Sequence, residues 1–212
     1  AHRPHRIVVL RNDSGAEGGQ SRVEAASLAG EVSDPSFPAH LGRLIRDDPS
    51  YSVIHAAMAA AGKGKYRGVL PDIIARLGCN PTKVGARDAL IQCGEIAVKD
   101  LTLALSDPRV SRDVRFNIPR TLSKIHSQSA MNALLGGLIE EDRSIRFKVI
   151  LALEEMARQF TDLSVDREVI ERSIISDVML YSQRFLIFFT IFNRREMSLR
   201  DASLLSHALT DS

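Results

Sequence analysis

Asp113-Val114-Arg115-Phe116-Asn117-Ile118-Pro119-Arg120-Thr121-Leu122-Ser123-Lys124-Ile125 returns one unit later as Ser144-Ile145-Arg146-Phe147-Lys148-Val149-Ile150-Leu151-Ala152-Leu153-Glu154-Glu155-Met156. Val-Arg-Phe answers Ile-Arg-Phe, Leu122 answers Leu153, and Ile125 answers Met156, each 31 residues on. Val23, Val53 and Val84 extend the column toward the N-terminus at spacings of 30 or 31. A fixed period of this length marks stacked units, each too small to bury its own apolar face and covered by its neighbours.

Apolar spacing of three and four residues makes each unit a helical hairpin. The first pairs residues 21–32 with a helix carrying Phe37, Leu41, Leu44 and Ile45, and the second runs from Tyr51 to Gly62 and from Tyr66 to Leu77. Val84 to Cys93 with Val98 to Leu105, then Val114 to Ile125 with Met131 to Ile139, form the third and fourth. A fifth starts at Ile145, and the register loosens after Gln159. Asp-Pro pairs and glycines punctuate the ends, and Pro119 inside a helix predicts a kink. The expected fold is therefore all-α: a right-handed α-solenoid of about five hairpins over residues 21–159. A basic extended segment and flexible linker (1–20) precede it, and a C-terminal helical extension (160–212) packs on the last repeat. Within the N-terminal segment, Arg6 to Leu10 is a strand or a docking segment, and residues 12–20, with three glycines, read as linker. The absence of an initiator Met and the uncapped helix at Leu204 to Leu209 point to an excised piece of a longer protein.

Composition narrows the function classes. The chain has 212 residues, 44% hydrophobic and 25% charged, and 28 basic against 26 acidic residues give +2. That balance provides no global attraction to nucleic acid or to anionic membrane. Two cysteines, Cys79 and Cys93, are too few for a disulfide framework and lack paired zinc spacing, so free thiols in a reducing compartment are expected. The six histidines, His2, His5, His40, His55, His126 and His207, form no helical metal pair and no nucleophile triad. Gly62-Lys63-Gly64-Lys65 lacks the earlier glycine and the following hydroxyl of a phosphate-binding loop and reads as a glycine-terminated helix with a basic turn. Glu154 and Glu155 are adjacent on a helix and point about 100° apart, which makes them no paired-carboxylate site. No catalytic residue, cofactor or metal is assigned.

Two groups remain as candidate sites. Arg115 and Arg146 recur at one position, with Arg120 and Lys148 on the same helices; they read as an inter-repeat ladder to Asp113 or Asp142, or as a ligand-binding stripe. Phe185, Phe188, Phe189 and Phe192 lie in a run of seven apolar residues in eight, too short to span a bilayer, and read as a cap on the last repeat with a partner surface on its other side.

Asp142-Arg143-Ser144-Ile145-Arg146, Asp113-Val114-Arg115 and the mid-helix Pro119 resemble HEAT repeats across residues 21–158. Arg115 to Ile125, Leu134-Leu135-Gly136-Gly137-Leu138 and Tyr181 are similar to the HEAT-repeat region that follows the membrane domain in bacterial major-facilitator proteins related to ADP/ATP translocases. The resemblance implies a non-enzymatic, cytoplasmic scaffold or interaction module, docked on another protein or on the membrane domain of its own parent chain. The alternative is a HEAT-like enzyme or chaperone resembling phycobilin lyases or alkylpurine DNA glycosylases. Near-neutral charge and the lack of Trp oppose the nucleic-acid branch.

Overall fold

The structure, a computed structural model, describes residues 16–29 and 36–165, with residues 168, 170–172 and 175 beyond them. The chain divides into two compact units, Ala1–Val165 and Asp166–Ser212. Among the described residues of the first unit the regular secondary structure is all helical, with no strand. The segment Arg6 to Leu10 and the phenylalanine-rich run from Phe185 to Phe192 lie outside the described residues.

The helices are α1 (Ala16–Ala29), α2 (Phe37–Asp47), α3 (Tyr51–Gly64), α4 (Leu70–Arg76), α5 (Lys83–Cys93), α6 (Glu95–Ser106), α7 (Arg112–Leu122), α8 (Gln128–Gly136) and α9 (Arg143–Gln159). Short 3-10 turns at Arg67–Val69 and Gly137–Ile139 adjoin α4 and α8. Residues 16–20, expected as linker, are the first turns of α1. Gly18 and Gly19 each weaken a helix by about 1 kcal/mol, but the Ala25, Ala26 and Ala29 face of α1 is buried and α1 packs on α3. Tertiary burial outweighs local preference.

Contacts arrange the helices in two rows. Along one, α1 packs on α3, α3 on α5, α5 on α7 and α7 on α9; along the other, α2 meets α4, α4 meets α6 and α6 meets α8. The buried face of the first row repeats as a quartet at positions i, i+3, i+4 and i+7, one stripe of a 3.6-residue helix. Arg22, Ala25, Ala26 and Ala29 on α1 correspond to Ile54, Ala57, Met58 and Ala61 on α3, then to Ala86, Ala89, Leu90 and Cys93 on α5. Ile118, Thr121, Leu122 and Ile125 follow on and just beyond α7. These steps are 32 residues each; the step to Val149, Ala152, Leu153 and Met156 on α9 is 31, with Leu153 only half-buried. The valine column is therefore out of phase in the middle of the chain. Val84 is 54% exposed, and the residue that corresponds to Val114 is the fully buried Thr82.

The second row keeps another rhythm. Phe37, Leu41 and Ile45 correspond to Val69, Ile73 and Leu77, then to Ala97, Leu101 and Leu105, then to Ala130, Leu134 and Leu138, all buried, in steps of 32, 28 and 33. The short step arises at Gly94, which alone separates α5 from α6 and reverses the chain at φ 61° and ψ −134°. That backbone region suits glycine and little else. Gly62 has a different role: a Cβ there would stand 3.0 Å from the Cα of Ala89, so the α3–α5 approach depends on its hydrogen.

Candidate interaction surface

Capping and cross-unit pairing place the arginines. Asp142 is the N-cap of α9, accepting from the amides of Ser144 and Ile145 at 2.9 and 3.2 Å. Its other oxygen takes the Nε–H of Arg112 from α7 at 2.6 Å. The Arg112 hydrogen bond above all, aided by the two amides, draws the Asp142 pKa down to about 2. Arg112, not Arg115, is thus the partner of Asp142.

Arg115 turns elsewhere. Its Nε donates to the carbonyl of Leu105 at 2.9 Å, satisfying an orphan at the end of α6, and its Nη2 meets Glu140 Oε2 at 2.5 Å. Asp113, also expected as a partner, sits two residues before Arg115 on α7, a spacing that points the two side chains apart. Arg146 reaches the same place from α9, its Nη1 donating to the Glu140 carbonyl at 2.7 Å. The repeated arginines therefore converge on Glu140, one on its carboxylate and one on its backbone. Both side chains of the Arg115–Glu140 pair are close to nine-tenths buried.

Neighbouring ties follow a similar logic. Lys124 Nζ bonds Glu155 at 2.7 Å and the hydroxyl of Ser123 bonds it at 3.1 Å, and these contacts, Lys124 first, lower the Glu155 pKa. Near the N-terminal end, Arg22 pairs with Asp48 and Arg46 with Asp72, each across 26 residues. Arg76 donates to the carbonyls of Ile45 and Arg46, both at 2.7 Å, capping the C-terminal end of α2. No local spacing rule reports pairs this far apart, so sequence reading passes over Arg22, Arg46 and Arg76. Their one sequence signal is a basic side chain repeatedly set about 26 to 31 residues from an acid or a helix end.

Arg120 and Lys148 belong to the exposed side of the first row. Lys148 Nζ stands 5.0 Å above the Phe116 ring centroid, a cation–π contact between α9 and α7. Arg120 is exposed; it lies near Arg87, whose pKa is lowered by burial first and by Arg120 second. The Arg87 Nε is buried without a hydrogen-bond partner.

Beside these cations runs an apolar edge. By the buried register, Val84, Phe116 and Phe147 occupy one position on α5, α7 and α9, where α1 and α3 carry Gln20 and Ser52. Phe116 is half-buried and Phe147 56% exposed. On α9 the edge widens through Ile150 and Leu151, both exposed, three and four residues after Phe147 and so on its face of the helix.

No protein-family model matches this chain, and no curated protein matches it.

Among the described residues no group of three or more His, Cys, Asp or Glu is placed to hold a metal ion, and no helix is long and apolar enough to cross a membrane. Cys79 and Cys93 are free thiols, the latter buried, and burial raises its pKa. The Gly62 to Lys65 turn ends α3 with Lys65, not a glycine, in the left-handed conformation (φ 50°, ψ 43°). A Cβ on Gly64 would fall on the Tyr66 ring, so the glycine there serves packing.

Proposed function

We propose that this chain is a right-handed α-solenoid of HEAT-like hairpins and acts as a non-enzymatic protein-interaction module. Its partner surface is the edge formed by Val84, Phe116, Phe147, Ile150 and Leu151, bordered by Arg120 and Lys148. The observation that carries this reading is the exposure of Phe147, Ile150 and Leu151 together on one helix. Large apolar groups clustered at a surface and rimmed by cations are the composition of an interface. The recurring buried quartet supports the stacked architecture, since equivalent side chains fill equivalent places from α1 to α9.

The partner is another protein or the membrane domain of a longer parent chain, and the module works in the cytoplasm, where free thiols such as Cys79 and Cys93 persist. The likeness of Arg115 to Ile125 to the cytoplasmic region of translocase-related transporters supports the second partner. A photo-cross-linking residue at position 147, in the protein expressed in its own host, tests the reading against a control at Leu103, which is exposed on α6. A discrete heterologous adduct from 147, absent from 103 and lost on Leu151→Asp, is expected. Equal adducts from both positions, none from 147, or an adduct of two copies of this chain would overturn it.

A further inference from the structure

The cross-unit ladder has a gap, and the gap opens on a cleft. In the second row Arg46 Nη1 holds Asp72 Oδ2 at 2.7 Å. One unit on, the register that sets Ile45 against Leu77 and Ile73 against Leu101 puts Gly78 at the place of Arg46 and Asp100 at the place of Asp72. Asp100 thus keeps the acid of the pair without its arginine. A side chain at position 78 would require Val114 to shift, because a Cβ there would stand 2.9 Å from Val114 Cγ2.

The consequence is visible at the carboxylate. Asp100 Oδ2 is buried with no hydrogen-bond partner, and the nearest cation, Arg67 Nε, lies 4.0 Å away, beyond hydrogen-bond range, on a side chain that is largely exposed. The Asp100 side chain as a whole is 28% exposed, but a carboxylate oxygen buried without a donor is ordinarily matched by one. Asp100 also lines a cleft of about 410 Å³ whose other walls, apart from Ser111, are apolar, among them Ile74 and Ala75 of α4, Ala104 of α6, and Val110 and Val114. A concave apolar space with one convergent charge is the form of a small-ligand site.

We propose that this cleft binds a small apolar ammonium ion, its cationic nitrogen at Asp100 supplying the N–H donors that Arg46 supplies to Asp72 and its hydrocarbon part against Ile74, Ala104 and Val114. The site is distinct from the α5–α7–α9 edge and does not depend on the function assigned to that edge.

Tryptamine is a direct probe, because the chain contains no tryptophan and indole emission reports the ligand alone. Titrated with the whole chain at low salt, tryptamine should show a saturable rise in fluorescence anisotropy. Asp100→Asn, which keeps the shape, should weaken binding at least about tenfold, the effect of roughly 1.4 kcal/mol. Ala104→Leu, which fills the cleft and keeps the charge, should also weaken it, while Asp72→Asn should leave it unchanged. Indole-3-acetate, of opposite charge, should not bind. Absence of any rise up to about 1 mM of the chain, a range that reaches affinities near millimolar, equal binding by the Asp100→Asn protein, or equal binding of indole-3-acetate would each overturn the proposal.

Discussion

Arg22 on α1 donates its Nε–H to Asp48 Oδ2 at 3.0 Å, and both side chains are more than nine-tenths buried. Arg22 stands in the quartet position that Ile54, Ala86, Ile118 and Val149 fill in later units. An ion pair thus replaces an apolar contact at the first unit of the row. Asp48 also accepts from the amide of Ser50 at 2.9 Å, which ties the pair to the entry of α3.

Breaking that pair from one side leaves a charge buried and alone. Arg22→Met is expected to lower the unfolding free energy by about 3–5 kcal/mol. Arg22→Met with Asp48→Asn should cost clearly less than the sum of the single changes. Urea denaturation of the four proteins measures the cycle, and additive losses would show that the pair is not coupled.

The convergence on Glu140 makes a second mutational test. Arg115→Ala together with Arg146→Ala should lower the melting temperature, with Arg115→Ala carrying most of the loss, about 3 kcal/mol, because it strands a largely buried carboxylate. Arg120→Ala, at an exposed position, should change stability by less than about 0.5 kcal/mol. An unchanged melt in the double variant would contradict the stitching role.

Acid stability follows from the carboxylates that hold units together. Asp142, with its pKa drawn from the ordinary 3.8 to about 2, contributes stability that is full above the unfolded value and is lost as pH falls through the folded one. Glu155, held by Lys124, and Asp162, held by His126, are shifted in the same direction. The melting temperature should therefore drop as pH falls from about 4 to about 2. Asp142→Asn should start lower at neutral pH and fall less steeply across that window, and a slope identical to that of the unaltered protein would contradict its assignment.

Backbone conformation gives predictions of opposite sign within one turn. Lys65→Gly should stabilise by about 1 kcal/mol, because Lys65 has a left-handed backbone that a side chain disfavours. Gly62→Ala should destabilise by about 1–3 kcal/mol, the ordinary cost of overpacking, since its methyl would press on Ala89. Thermal melts of both variants settle the signs.

The helices, their order along the chain and the loosening of the register after Gln159 were legible from apolar spacing and from punctuation such as Asp107-Pro108 and Gly94. The phase of the buried stripe was not. On α1, α3 and α5 much of that stripe is alanine, a residue equally at home on either face, whereas Val84 advertises a core position and lies at the surface. The arginine repeat at Arg115 and Arg146 was legible as a position, but not its partner, because Glu140 comes from the segment leading into α9 and is brought near only by packing. The apolar edge was hidden in part for the same reason: Phe116 and Phe147 align at 31 residues in the sequence itself, but Val84 joins them only once the 32-residue step replaces the valine column.

Gly94 has a kinetic meaning as well as a geometric one. With one residue between α5 and α6, these helices meet with almost no loop to order, and loop-closure entropy is the term that slows the joining of distant elements. The centre of the first unit is consequently the place where two helices can find each other soonest, leaving earlier and later helices to add to an existing surface. Destabilising changes at Leu90 or Leu101 should therefore slow folding, whereas those at Ala26 or Met156 should chiefly speed unfolding.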